Sequence, residues 1–169
     1  AAPGCILFLG TLEPRKNLGV LLDAYERLIA RSATAPPLVL AGHTPPDAAA
    51  LVARARRPPL AGRVELPGYV SADERIDVYR RALVFVLPSH TEGFGMPAVE
   101  AMVVGVPVLA ADRGALPEAV GSAGRLFDPA DADALADALD QILGDATLRE
   151  RMRDDGRRQA QKFQWTATA

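Results

Sequence analysis

The sequence predicts an α/β fold, a doubly wound parallel sheet of five to six strands covered by helices on both faces. Short apolar runs alternate along the chain with longer segments whose apolar residues recur at helical spacing. This alternation is typical of helices that cross over between parallel strands buried on both faces. The chain has 169 residues, of which 49% are hydrophobic and 24% charged. We therefore predict one domain over residues 1–169, large enough to bury a core of its own.

Five short apolar runs are the candidate strands, and glycine, proline or another small residue follows each of them. They cover residues 6–9, 38–41, 64–66, 84–87 and 108–110. Residues 124–127 are a candidate sixth strand. In sheets of this kind ligands bind beyond the carboxyl ends of the strands, so the loops that follow the strands are the candidate site.

The helices are predicted from apolar spacing and from capping residues. Apolar residues over 18–29 line one face of a helix, and Asn17 is placed to cap its start. Ser71 and Glu74 have the form of a capping box, which predicts a helix over 72–82. The last third of the chain is predicted to form two helices, over residues 134–143 and 148–163.

Charge, cysteine content and hydropathy exclude several classes of function. The formal net charge is -2, so no excess of positive charge is present to hold a nucleic acid, and we expect no such partner. Cys5 is the only cysteine, which rules out an internal disulfide and a thiolate metal cluster and favours a cytoplasmic location. No apolar run approaches the roughly 20 residues that span a bilayer, so membrane contact is not indicated. Because the first predicted strand begins close to Ala1, we expect an excised piece of a longer protein.

The loop after the fourth predicted strand carries the residues that suggest chemistry. Gly93 and Gly95 precede a helix that should begin near Pro97, a residue suited to the first helical position. Glycines there let a ligand approach backbone N–H groups at the positive end of the helix, which favours anions and polar oxygens. Glu100 falls in the first helical turn, so we expect its carboxylate to face the same pocket as that of Glu92. Alternatively, Glu92 is a turn residue, and Glu100 only stabilises the helix start by about 0.3–1 kcal/mol.

Residues 88–107 resemble the Glu-x7-Glu signature of retaining glycosyltransferases with the GT-B fold, especially family 4, also called glycosyl transferases group 1. The matching segments, in the family's order, are Pro88-Ser89, Glu92-Gly93-Phe94-Gly95, Pro97, Glu100-Ala101-Met102 and Gly105-Val106-Pro107-Val108. Further matches at residues 10–17, 68–70 and 163–165 extend the resemblance over nearly the whole chain. The resemblance implies a Rossmann-like sheet that forms the C-terminal half of a GT-B enzyme. This half holds the donor, and the missing partner is the N-terminal acceptor domain of the same enzyme.

The resemblance also implies a role for each matching residue. Glu92 meets the donor sugar near the reacting centre and is the implied catalytic residue. Lys16 contacts the diphosphate of the donor, and Glu100 accepts hydrogen bonds from the ribose hydroxyls. The backbone N–H groups of the Gly93-Phe94-Gly95 turn hold sugar hydroxyls. One position departs from the family's pattern, because many members carry arginine where this chain has Thr11.

Arg15 is the candidate for the positive charge that is missing at Thr11. It either contacts the diphosphate beside Lys16 or is simply exposed, and the sequence leaves both open. No cofactor and no protein-bound metal are expected, since the donor is a nucleoside diphosphate sugar. Asp131 and Asp133 have the Asp-x-Asp form of metal-dependent sugar-nucleotide sites. They open a predicted helix, however, where aspartates serve as caps and dipole partners.

The sequence thus predicts the donor-binding domain of a retaining glycosyltransferase that moves a sugar from a nucleoside diphosphate sugar to an acceptor. We expect a transferase of the hexosyl type that is inactive as this chain alone. The alternative is a stand-alone nucleotide-binding or regulatory module without turnover.

Overall fold

A computed structural model describes residues 4–168, with side chains described up to residue 163. The strands are β1 (Cys5–Leu9), β2 (Leu38–Ala41), β3 (Val64–Gly68), β4 (Ala82–Leu87), β5 (Val108–Ala111) and β6 (Arg125–Phe127). They form one sheet in the order β3-β2-β1-β4-β5-β6, and every neighbouring pair is parallel. The predicted doubly wound α/β fold is confirmed, including its sixth strand.

The helices that connect the strands follow the expected alternation. They are α1 (Leu18–Arg31), α2 (Ala49–Ala55), α3 (Arg75–Arg80), α4 (Met96–Val104), α5 (Leu116–Val120), α6 (Ala132–Gly144) and α7 (Ala146–Thr168). Two short 3-10 turns, Pro14–Lys16 and Pro46–Ala48, precede α1 and α2. Within residues 4–168, each helix is too short or too polar to cross a bilayer.

The strand order reverses direction at β1. The chain moves outward from β1 to β3, then returns and places β4 on the other side of β1. Loops that follow β1 and β4 therefore leave the same edge of the sheet on either side of a crevice, where ligands of doubly wound folds bind. The central strands are buried throughout, which agrees with their uninterrupted apolar sequences.

Side-chain capping explains where α6 starts but not where α3 starts. Asp131 caps α6 as predicted, because its Oδ1 accepts a hydrogen bond of 2.9 Å from the backbone N–H of Ala134. The predicted helix over 72–82 is wrong in its bounds, since α3 begins only at Arg75. The Ser71 hydroxyl donates to Glu74 Oε2 at 2.9 Å instead of accepting a backbone N–H, so it does not cap a helix.

Other predicted helix bounds shift by smaller amounts. The helix α4 begins at Met96, one residue before the proline expected to open it. The last helix, α7, starts at Ala146 and continues to Thr168, five residues beyond its predicted end at residue 163. Helix ends depend on contacts beyond the helix itself, so apolar spacing predicts them less well than it predicts the helix.

Candidate functional site

The loops after β1 and β4 pair with each other at the crevice. We call residues 10–17 and 88–95 the paired loops. The backbone N–H of His90 donates to the Arg15 carbonyl at 2.9 Å, and the Arg15 guanidinium donates to the Thr91 carbonyl at 3.2 Å. These contacts join segments that are 75 or 76 residues apart. They bring together, in one site, the residues of the first loop that are implied to contact the diphosphate and the residues of the second loop that are implied to contact the sugar.

A buried ion pair lies at the centre of the paired loops. Lys16 Nζ donates to Glu92 Oε1 at 2.5 Å, and the two side chains are only 7% and 8% exposed. The hydroxyl of Ser89, itself fully buried, donates to the same oxygen at 2.7 Å. Among the described residues, Glu92 Oε2 has no hydrogen-bond partner. Glu92 is thus held by two donors through one oxygen, while its other oxygen keeps its capacity to accept.

The Lys16 side chain is buried, although lysine is usually exposed to solvent. Its residue is 5% exposed, at the end of the Pro14–Lys16 turn. An ammonium has three donors, and the bond to Glu92 uses one of them. The ion pair is locally neutral, so the carboxylate of Glu92 can lie beside a bound anion with less repulsion.

Gly93 and Gly95 lie on the turn directly before α4, as the sequence predicts. Gly95 is the N-cap of α4 and has φ 85°, and a Cβ built there would lie 2.7 Å from Leu116 Cδ2. Gly93 faces open space, because an added Cβ would meet nothing within 4 Å. Phe94 packs edge to face on Phe163 of α7, with ring centroids 5.0 Å apart, which anchors the turn to the last helix.

The backbone N–H groups of Gly93, Phe94 and Gly95 donate to no group within the part of the chain that the structure describes. Unpaired N–H groups that precede a helix attract anions and polar oxygens, because they add to the positive end of the helix dipole. The turn therefore offers three consecutive donors to a ligand, next to Glu92 in the chain.

Glu100 has partners of its own, which separate it from Glu92. Its Oε2 accepts a hydrogen bond of 2.8 Å from the Tyr79 hydroxyl, and its Oε1 lies 3.7 Å from Nη1 of Arg75. Burial, together with the charge of Glu100, raises the pKa of Tyr79, so its hydroxyl stays protonated and donates. Glu100 lines an open groove of about 240 Å³ between α3 and α4. The groove is otherwise lined by Ala72, Arg75, Ile76, Tyr79, Val103 and Val104.

Arg15 lies at the surface of the paired loops. Its Nη2 donates to Glu13 Oε1 at 3.1 Å, and its side chain is 46% exposed. The guanidinium is therefore next to the buried pair in the chain, yet its contacts are with Glu13 and with the Thr91 carbonyl. The structure brings Arg15, Lys16 and Glu92 together and leaves Glu100 with separate partners.

The Asp-x-Asp segment and the two histidines of the chain have local structural partners or lie at the surface. Asp133 forms an exposed ion pair of 3.0 Å with Arg27, next to the capping residue Asp131. His43 and His90 are exposed, and their backbone groups join neighbouring loops. Within residues 4–163, no group of three or more histidine, cysteine, aspartate or glutamate side chains is placed to hold a metal ion.

Asn17 joins three loops instead of capping α1. It occupies the predicted N-cap position, but it is in the left-handed conformation with φ 57° and its side chain makes no cap bond. Its Nδ2 donates to the carbonyl of Pro88 at 3.0 Å and to that of Pro129 at 2.9 Å. The amide thereby ties the loops after β4 and β6 to the start of α1, a role that its own neighbours in the sequence do not indicate.

We expect Asn17→Gly to lower the free energy of unfolding by about 1–3 kcal/mol, because two buried carbonyls lose their donor. Asn17→Ala should lower the free energy of unfolding by about 1 kcal/mol more than Asn17→Gly does, since alanine is strained at positive φ and glycine is not. Urea denaturation of both variants checks these values. Wild-type stability in Asn17→Gly would contradict the role of the amide, and equal stability of the two variants would contradict the strain.

Two site residues were missed by sequence reasoning. Ser89 lies inside the matching Pro88-Ser89 segment, so that segment was the signal for it, but nothing local indicated a bond to Glu92. Tyr79 lies in the helix that the capping box predicts over 72–82, where a tyrosine by itself indicates only core packing. Its bond to Glu100 spans 21 residues and depends on how α3 packs on α4.

The comparisons with known proteins agree on one family. The profile of the family described as "Glycosyl transferases group 1" matches residues 2–159. The O-antigen chain mannosyltransferase B of Escherichia coli is 40% identical over 162 residues, which are 96% of this chain and 42% of that protein. The chain thus spans less than half the length of this curated relative.

Solved structures agree on the domain. The C-terminal domain of a glycosyl transferase group 1 family protein (LpcC) from Francisella tularensis is 26% identical. It matches with a TM-score of 0.82 over 95% of this chain and 86% of its own. Sucrose-phosphate synthase from Thermosynechococcus elongatus is 30% identical and matches with a TM-score of 0.85, over 98% of this chain and 42% of its own. The chain therefore belongs to the glycosyl transferases group 1 family, and its Rossmann-like sheet is the C-terminal domain of the GT-B fold.

Proposed function

We propose that this chain is the donor-binding domain of a retaining glycosyltransferase that takes its sugar from a nucleoside diphosphate sugar. The observation that carries the proposal is the arrangement of the paired loops. They place three unpaired backbone N–H groups and a buried Lys16–Glu92 pair at the crevice where the strand order reverses.

The diphosphate binds at the paired loops in this proposal. Transfer of the sugar leaves a nucleoside diphosphate, whose negative charge increases as the glycosidic bond breaks. Preorganised donors at that position stabilise the departing group more than they stabilise the bound donor. Lys16 and the Gly93-Phe94-Gly95 turn supply such donors, and the exposed guanidinium of Arg15 supplies a second positive charge from the rim.

Glu92 orients the sugar in this proposal. Its Oε1 is held by Lys16 and Ser89, so Oε2 accepts a hydrogen bond from a hydroxyl of the donor sugar. Because two buried donors hold the carboxylate, the sugar is placed precisely relative to the diphosphate, which is a large part of what catalysis requires. Glu100 accepts the ribose hydroxyls, through the oxygen that Tyr79 does not occupy.

In this proposal the transferred sugar is a hexose, which is supported by the description of the E. coli relative at 40% identity as a mannosyltransferase. We propose that the acceptor is held by an N-terminal domain, because the chain spans 42% of that relative. Retention at the anomeric carbon rests on the resemblance of the Glu92 to Glu100 spacing to the signature of retaining enzymes.

Calorimetric titration with UDP, GDP and ADP tests donor binding by this chain. We expect at least one of them to bind clearly. In Glu100→Gln the affinity for that ribonucleotide should fall by about tenfold, the scale of a hydrogen bond to a charged group. The 2′-deoxy counterpart should lose less affinity, because only its 3′-hydroxyl remains as a proposed partner of Glu100. Glu150→Gln, an exposed change on α7, is the matched control and should change neither affinity.

Absence of binding by every nucleoside diphosphate would contradict the proposal, and equal losses for ribo- and deoxyribonucleotide would remove Glu100 from the ribose site. Sugar transfer is then measured with this chain alone and with the chain joined to its N-terminal domain, with NMR of the anomeric proton of the product. We expect transfer with retention only in the joined form, since placing the acceptor lowers the barrier by roughly 7–11 kcal/mol.

A further inference from the structure

The proposed ribose ligand, Glu100, is held by a tyrosine whose ring belongs to the core. Tyr79 is 1% exposed on α3, and its ring packs edge to face on Phe85 of β4 with centroids 5.6 Å apart. Packing therefore fixes the ring whether or not a ligand is present. The only polar atom of the side chain is its hydroxyl, which points to α4.

The single proton of that hydroxyl has two acceptors within reach. Glu100 Oε2 lies at 2.8 Å and the Pro97 carbonyl at 3.1 Å. The carboxylate is closer and charged, and hydrogen bonds to charged acceptors are the stronger ones. The Pro97 carbonyl also has a partner in the helical hydrogen bonding of α4. The proton therefore goes to Glu100.

The other oxygen of Glu100 remains able to accept. Nη1 of Arg75 is 3.7 Å from Oε1, which is beyond hydrogen-bond distance, so the guanidinium attracts the carboxylate without occupying that oxygen. Nε of Arg75 is buried and has no partner among the described residues, so this guanidinium is not locked in a bidentate pair. The Glu100 side chain is 34% exposed and lines the open groove between α3 and α4, where a ligand can approach it.

We propose that Tyr79 is a positioning residue whose hydroxyl holds the Glu100 carboxylate in the orientation that accepts ribose hydroxyls. The inference rests on the ribose role proposed above for Glu100. A glutamate side chain otherwise has several rotamers, and a ligand that selects one of them binds more weakly by the cost of ordering it. Tyr79 removes that cost before the nucleotide arrives.

Tyr79→Phe tests the inference, because it removes the hydroxyl and keeps the ring on Phe85. Calorimetry uses the best-binding nucleoside diphosphate of the UDP, GDP and ADP set and its 2′-deoxy counterpart. We expect the ribonucleotide to bind about tenfold more weakly and the deoxyribonucleotide, which keeps only the 3′-hydroxyl, to lose less affinity than the ribonucleotide does. In Tyr79→Phe combined with Glu100→Gln, the ribose preference should equal that of Glu100→Gln alone.

Tyr25→Phe is the matched control. Tyr25 is also fully buried, and its hydroxyl donates to the carbonyls of Pro36 and Arg63, at 2.9 and 3.3 Å, near the amino ends of β2 and β3. Loss of the Tyr25 hydroxyl should lower the midpoint of thermal unfolding without changing the ribose preference. A purely structural role for Tyr79 would give the same result in Tyr79→Phe and would overturn the inference.

The two proposals fail in different ways. If Glu100→Gln keeps the ribose preference of the wild type, the proposed ribose role of Glu100 is wrong, and the positioning role of Tyr79 is wrong as well. Should Glu100→Gln reduce the preference while Tyr79→Phe leaves it intact, only the positioning role of Tyr79 is overturned.

Discussion

Replacing Lys16 with alanine is expected to lower the free energy of unfolding by about 3–5 kcal/mol, the scale measured when one partner of a buried ion pair is removed. The reason is the environment of the partner that remains. Glu92 is 8% exposed, and without the ammonium its charge stays desolvated with only the Ser89 hydroxyl to stabilise it. Guanidinium denaturation followed by circular dichroism measures the loss.

An exposed ion pair provides the matched control for Lys16. Arg31 and Asp137 approach to 2.7 Å, but their side chains are 41% and 59% exposed. We expect Arg31→Ala to cost less than about 1 kcal/mol, because water screens exposed charges. A similarly small loss of stability in Lys16→Ala would contradict the expectation that removing Lys16 leaves a costly buried charge on Glu92.

A double variant separates the stability effect from the binding effect. Lys16→Met combined with Glu92→Gln removes both charges, so no uncompensated charge stays buried, and much of the lost stability should return. Nucleotide affinity should stay low in this variant, since the proposed diphosphate donor is absent. Full nucleotide affinity in the stable double variant would remove Lys16 from the diphosphate site.

Gly42→Ala is expected to destabilise the fold by about 2–6 kcal/mol, which combines backbone strain with overpacking. Gly42 follows β2 and has φ 141°, and a Cβ built there would lie 1.9 Å from the carbonyl oxygen of Gly10. The backbone of Gly10 cannot move aside as a flexible side chain could. The two hydrogen bonds that continue the sheet past its strands, from Gly10 to Ala41 and from Gly42 to Gly68, would also be strained.

Gly19→Ala is the control for Gly42. Gly19 is in the first turn of α1, where an added Cβ meets nothing within 4 Å. Alanine favours helices more than glycine does, so this variant should be as stable as the wild type or more stable by up to about 1 kcal/mol. Thermal unfolding of both variants checks the contrast, and an equally mild effect at Gly42 would contradict the close approach of the two loops.

The close approach at Gly42 also bears on the site. The carbonyl of His43, the next residue, accepts a hydrogen bond of 2.9 Å from the N–H of Leu12 in the first of the paired loops. A backbone shift at Gly42 therefore moves the loop that carries Lys16. The glycines that follow β1 and β2 therefore help to position the loop that carries Lys16.

Local patterns in the sequence determine most of the fold. The strands are short apolar runs because both faces of a parallel sheet are buried, and burial makes the whole run apolar. Asp131 was identified as a cap because capping involves residues three apart, a spacing that the sequence displays directly. The segment from Glu92 to Glu100 is also recognisable in the sequence, because its glycines, proline and glutamates all lie within one loop and one helical turn.

Only the tertiary structure decided which of these residues act together. The pairs Lys16–Glu92 and Tyr79–Glu100 and the Asn17 contact with Pro129 join residues separated by 76, 21 and 112 positions. No periodicity relates positions so far apart. Their meeting depends on the strand order that puts β1 beside β4, and on the packing of α3 against α4. The sequence alone therefore determined where most of the site residues lie in the chain. The reversal of strand order at β1 decided that Lys16 is buried against Glu92, and the packing of α3 on α4 decided that Glu100 is held by Tyr79.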